Sequence, residues 1–154
     1  MNLNAAHGIL FHEAVHLLLS LLVAFFIWRI YKDKKAALIA FLVGIFLDID
    51  HWFDYFAWFG LKINLRNFFN VTSYIHPSGK VYIPLHGWEW LPIFWLTGKL
   101  IGRKIRMRGL EWAISLSVLG HLLWDNFCFY HHPLAYSFFF RLFTNFSLKK
   151  FDGF

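Results

Sequence analysis

The chain is poor in cysteine, in charge and in nucleophile motifs, and each shortage removes a class of function. Cys128 is the single cysteine, which excludes an intramolecular disulfide framework and a thiolate-built metal site. Charged residues are 16% of the 154, below the roughly 25% of an ordinary soluble domain. No serine or cysteine stands beside a base in a recognisable nucleophile motif, so covalent catalysis is disfavoured. The opening MNLNAAHG has no Lys or Arg to form a basic n-region, and the apolar segment after it carries His12, Glu13 and His16; a cleaved signal peptide is not expected. Internal repeats and low-complexity tracts are also absent.

Apolar residues, by contrast, make up 58% of the chain and aromatics 22%, with a positive mean hydropathy. That is too apolar for a soluble domain of this size, so one all-α, polytopic membrane domain is expected. Four segments approach the about 20 residues needed to cross a hydrocarbon core: 8–31, 36–60, 85–101 and 110–130. Short loops at 32–35 and 102–109 would close two antiparallel hairpins. With Arg29 and Lys99 these loops hold nine of the fifteen Lys and Arg residues, so the positive-inside rule places them in the cytoplasm. Both termini and the 61–84 connection then lie on the non-cytoplasmic side of a cell (inner) membrane. The same distribution accounts for the net charge of +6 without nucleic acid. Around His76-Pro77-Ser78-Gly79 the sequence predicts a short outer β-hairpin-like loop, and aromatics at near-helical spacing in 133–154 predict an interfacial C-terminal helix.

The run AALIAFLVGIFL, residues 36–47, ends in Asp48-Ile49-Asp50-His51-Trp52-Phe53-Asp54. An aspartate near the centre of a spanning helix costs about 3 kcal/mol, while each Leu, Ile, Phe or Val returns only about 0.3–0.6. Three aspartates therefore call for a cation, a buried partner or a water-filled cavity. Counted at helical rise from the cytoplasmic rim, His16 lies about 21 Å in, Asp48 about 18 Å, His86 about 24 Å and His121 about 18 Å. His12, Asp54 and Asp125 fall about one turn further out. The cytoplasmic halves of these segments are almost free of ionisable groups, so the set forms one layer.

Spacing sharpens the pattern. His12 with His16, and His121 with Asp125, stand at i and i+4 on one helix face, the geometry by which a single helix gives two ligands to one metal. His86 and Glu89 stand at i and i+3, and Asp48, Asp50, His51 and Asp54 share an arc of about 160°. Imidazole with carboxylate suits zinc first, with manganese or iron as alternatives, and the supply of ligands allows one or two ions. Other polar residues have plainer readings: packing for His76, His131 and His132, the interface for Glu13, Glu111 and Asp152, and anchoring or packing for the eight tryptophans.

At Leu47-Asp48-Ile49-Asp50-His51 and Gly120-His121-Leu122-Leu123-Trp124-Asp125, with His16-Leu17-Leu18-Leu19-Ser20, the chain resembles the membrane-bound metal-dependent hydrolases, small bacterial inner-membrane proteins. The resemblance touches all four segments and implies His16, Asp48, Asp50, His51, His86, His121 and Asp125 as ligands. The family's H-R-G-x-T-H-S on the third segment reads His86-Gly87-Trp88-Glu89 here, one histidine short. The H-x-x-x-D spacing is similar, more distantly, to zinc-dependent phospholipase C, an analogy of motif alone.

The expectation is a hydrolase whose site opens toward the outer leaflet, with His12, His16, Asp48, Asp50, His51, His86, His121 and Asp125 as metal ligands. A divalent ion would lower the pKa of bound water to about 7. Glu89 or Asp54 would act as general base or acid. The depth suits a lipid phosphoester, so the bilayer and a lipid or small-molecule substrate are the expected partners. The alternatives are a non-catalytic scaffold whose acids and histidines pair for structure, or a metal-binding or transport protein using the same cluster. A transport path needs polar groups on both sides of the midplane, which the cytoplasmic halves lack. Haem is disfavoured by the four carboxylates in the layer.

Overall fold

Asp33, alone among the acids of the short loops, ties the helices together. In the computed structural model, which describes residues 3–129, 132 and 134–152, it separates α1 (Leu3–Tyr31) from α2 (Lys34–Phe46). Its Oδ1 accepts the backbone N–H groups of Lys35 and Ala36, at 3.0 and 3.2 Å, which caps α2. Its Oδ2 accepts the N–H of Arg108 at 3.0 Å, in the turn between α6 (Trp90–Lys104) and α7 (Leu110–Phe129). The two hairpins are thereby joined at their loops. α1, α2 and α7 pack on one another, and α6 lies against α7.

Small residues set how closely they approach. Ala36, Ala40 and Gly44 form a buried i, i+4, i+8 stripe on α2, which lets neighbouring backbones come near. A Cβ on Gly44 would collide with the Ser20 side chain of α1, and one on Gly98 would sit 2.7 Å from the Glu111 Cα. Close approach exposes α2 carbonyls to α7: Ser117 Oγ donates to the Ala40 carbonyl at 2.7 Å. Among the described residues, two stretches are long and apolar enough to cross a membrane, Phe11–Tyr31 and Lys34–Phe59. α6, at 15 residues, reaches about 22 Å.

The all-helical expectation holds, with four corrections. The second segment is not one continuous helix: a 3₁₀ turn, Leu47–Asp50, separates α2 from α3 (His51–Phe59). At three residues per turn Asp48 and His51 come to one side. The third helix starts at Trp90, not at 85, because the N–H groups of Tyr82, Ile83 and Leu85 bond to carboxylates of the second segment. Pro92 then falls in the first turn, where its missing N–H costs little.

The outer hairpin is also absent. After α4 (Leu65–Phe68), residues Thr72–Ser78 form α5, closed by Gly79 in the left-handed region at φ 65°, and bury Tyr74 and Ile75. Lys80 forms an isolated antiparallel bridge with Ser147, flanked by Val81 N–H to Phe146 O and Leu148 N–H to Gly79 O, both 2.9 Å. The hydrogen bonds assigned by sequence to a local hairpin go to the tail. Lastly, the tail is two short helices, α8 (Phe138–Phe143) and α9 (Leu148–Phe151), split where Asn145 and Phe146 adopt φ of 53° and 56°. Ala135, Tyr136 and Phe151 are buried in one core with Tyr55, Tyr74, Val81 and Ile83. Tyr130, His131 and Pro133 lie outside the described residues.

Candidate metal centre

Four elements deliver the polar layer to one place. α1 brings His12 and His16, the 3₁₀ turn and the start of α3 bring Asp48 and His51, the 82–88 loop brings His86, and α7 brings His121 and Asp125. Ligand atoms of these seven fall into four overlapping triads, each within 4.8 Å: His12–His16–Asp125, His16–Asp48–His121, Asp48–His51–His86 and His86–His121–Asp125. The sequence reading of acids and imidazoles from separate segments gathering together is therefore realised in side-chain contacts. His86, His121, His16 and Asp125 are buried; His12, His51 and Asp48 form the more open rim, with side chains 14%, 19% and 31% exposed.

Behind the cluster, hydrogen bonds fix which imidazole nitrogen faces it. His86 Nδ1 lies 3.0 Å from Asp50 Oδ2, and an ionised carboxylate only accepts, so Nδ1 carries the proton. His121 Nδ1 lies 3.0 Å from the carbonyl of Gly44, reachable because of the small-residue stripe, and must also donate. In the neutral form both rings therefore turn a bare Nε2 to the centre, the orientation seen in metal-ligating histidines whose other nitrogen is held by carboxylate or carbonyl.

Those two nitrogens meet two carboxylates. His86 Nε2 and His121 Nε2 are 3.4 Å apart; each faces Asp48 Oδ1, at 3.2 and 3.3 Å, and Asp125 Oδ2, at 3.6 and 3.4 Å. A tetrahedral zinc ion with nitrogen and oxygen ligands at about 2.0–2.2 Å has ligand–ligand edges of about 3.3–3.6 Å. Four of the five distances fall in that range, and the fifth, His86 Nε2 to Asp48 Oδ1 at 3.2 Å, lies just below it. Asp125 turns its other oxygen to His16 Nε2 at 2.9 Å and His12 Nε2 at 3.3 Å, yet Oδ1 is buried without hydrogen-bond geometry to either. His16 stacks on His121 with ring centroids 3.8 Å apart, and its Nδ1 is a buried atom without a partner.

Three of the sequence-assigned residues do other work. Asp50 sits behind His86, where Oδ2 also accepts the Leu85 N–H at 2.7 Å. Asp54, expected as a proton carrier, receives the N–H groups of Tyr82 and Ile83 on its two oxygens, at 2.6 and 3.0 Å. Glu89, the other expected proton carrier, is bonded to the Ser137 hydroxyl and, at 3.0 Å, to the Phe138 N–H. The structure thus spends both carboxylates on backbone and tail rather than bringing them into the cluster. His76 is exposed on α5, and His132 stacks on Phe140 with ring centroids 4.8 Å apart.

Sequence reasoning passed over Arg141. Its guanidinium is buried and donates to the carbonyls of Ala135 and Ile83, at 3.0 Å each, and of His86, at 2.7 Å. Burial pulls its pKa down to about 10, opposed by the nearby Asp50 carboxylate. The loop bearing His86 is held through its N–H groups by acids of the second segment and through its carbonyls by this arginine. An arginine inside an apolar, aromatic tail was the available signal. Gly44 and Trp124, which orient His121 and His12, carried none.

No family model matches the chain, and neither a curated protein nor a solved structure matches it.

Proposed function

We propose that this chain is a membrane-embedded, metal-dependent hydrolase acting on a phosphoester or lipid-like substrate at the outer leaflet. Asp48, His86, His121 and Asp125 would hold a divalent ion, zinc first, with His16 beside them and room for a second ion. The observation that carries this reading is the meeting of two imidazole Nε2 atoms, bare when the rings are neutral, with two carboxylates. Four acceptors at that spacing repel one another unless a cation lies among them or the rings are protonated. The motif resemblance to the membrane-bound metal-dependent hydrolases supports the same class.

When bound, the ion supplies Lewis acidity and a water of pKa about 7. The chain's own residues fix the coordinating atoms, exclude water behind His86 and His121, and leave an edge at Asp48, His51 and His12 through which a headgroup would approach. Membrane embedding is supported by the apolar residues left exposed along the helices, among them Leu18, Leu22 and Phe26 on α1 and Leu38, Leu42 and Phe46 on α2. In this reading α6 and α7 complete four crossings, with both termini and the site on the non-cytoplasmic side.

The experiment is elemental analysis of the purified protein, with hydrolysis of a lipid phosphoester and of bis(p-nitrophenyl) phosphate before and after chelation. Retained zinc, activity lost to chelator and regained with zinc, and loss of both in His121→Ala support the reading. Absence of bound metal, or full activity in His121→Ala, rejects it. Each of these histidines also borders a carboxylate, which favours as second reading a scaffold of imidazolium–carboxylate pairs; there the same variant lowers stability and changes no metal content.

A further inference from the structure

His12 differs from the other histidines of the cluster in the partner behind it. Its Nδ1 lies 3.0 Å from Trp124 Nε1, and an indole nitrogen is a donor only. His12 Nδ1 must therefore be unprotonated, and the neutral ring carries its proton on Nε2. A zinc-ligating Nε2 would need the reverse tautomer, with two N–H groups pointed at each other across 3.0 Å. The tryptophan that orients His12 thus disqualifies it as a ligand, although its Nε2 reaches the same space as those of its neighbours.

We infer that His12 is a hydrogen-bond donor facing the substrate, held in that tautomer by Trp124, and that it is not part of the metal shell. This deepens the hydrolase reading and rests on it for the donor's role. In the absence of substrate the Nε2–H donates to His16 Nε2, 2.8 Å away, and Asp125 Oδ1 lies 3.3 Å from the same nitrogen without hydrogen-bond geometry. With its side chain 14% exposed against 3% for His16, it stands where the buried ligands meet the open rim. A fixed N–H at the edge of a cation centre suits the anionic, non-bridging oxygen of a phosphoester, whose charge grows as the bond to the leaving group breaks. His16, on the same helix face, has no donor behind it: its Nδ1 is buried without a partner, while its Nε2 accepts the His12 N–H.

Long-range ¹⁵N imidazole spectra of histidine-labelled protein, before and after one equivalent of zinc, read the tautomer directly, with His12→Ala identifying the signal among the nine histidines. The expected result is an Nε2-protonated His12 in both states, shifting to a mixture of tautomers in Trp124→Phe. His12→Ala is expected to keep zinc affinity within about tenfold, the scale of an outer partner. Its kcat on bis(p-nitrophenyl) phosphate is expected to fall by about 10²- to 10³-fold, as for loss of one oxyanion donor. A zinc-shifted or Nδ1-protonated His12 in the wild type, or His12→Ala losing zinc as severely as His121→Ala, overturns the assignment. A wild type without zinc-dependent hydrolysis removes the hydrolase reading and the substrate-facing role with it, while an Nε2-protonated spectrum still upholds the Trp124–His12 pairing.

Discussion

Asp50 Oδ2 accepts from two neighbours at once, the Leu85 N–H at 2.7 Å and His86 Nδ1 at 3.0 Å, so one carboxylate sets both the loop and the ring that faces the centre. Asp50→Asn keeps an acceptor for Leu85 but removes the charge behind His86. Zinc affinity is expected to fall about 10- to 100-fold with the fold retained, measured by competition with a chromophoric chelator.

Asp54 is expected to matter for stability and not for proton transfer. Asp54→Ala strands the N–H groups of Tyr82 and Ile83, each costing about 1–3 kcal/mol when buried and unpaired. Denaturant unfolding should show that loss, with Asp54→Asn milder because one acceptor remains. Glu89→Gln should leave hydrolysis within about tenfold of wild type, short of the 10²–10⁴ expected of a general acid or base.

How far the sequence carried differs between layer and loop. The i, i+4 spacing put His12 with His16 and His121 with Asp125 on shared helix faces, and the structure brings the four together, because those pairs lie within single regular helices whose geometry is local. The 3₁₀ turn at Leu47–Asp50 and the late start of α6 depend on hydrogen bonds between segments 28 to 35 residues apart, which no periodicity encodes. Thus Asp48 and Asp50 looked alike in sequence, while one faces the centre and the other supports His86. The tail escaped for a related reason: its aromatics have helical spacing, yet Asn145 and Phe146 break the helix so that residues 146–148 can pair with 79–81.

Arg141 links that tail to the site. Arg141→Ala leaves three buried carbonyls without their donor, and a loss of about 3 kcal/mol or more is expected in thermal or denaturant unfolding, since each bond to a charged donor contributes about 1.5–3. Arg141→Lys should recover only part, because an ammonium lacks the planar fork. In both variants zinc affinity should drop alongside stability, since the carbonyl of His86 is one of the three.

Zinc should act as a stabilising ligand. At about 100 times its dissociation constant it adds about 2.7 kcal/mol to the folded state, visible as a raised Tm that a chelator reverses. His121→Ala should abolish the zinc-dependent rise, and His76→Ala, at an exposed side chain outside the cluster, should preserve it.

The most direct test is X-ray absorption at the zinc edge on purified, zinc-loaded protein, with His121→Ala in parallel. Stoichiometric zinc with a nitrogen and oxygen shell at about 2.0–2.2 Å, lost in the variant, is the expected result. Failure of the wild-type protein to retain zinc at stoichiometry, or an unchanged zinc shell in His121→Ala, would contradict the claim that these acids and imidazoles hold a cation.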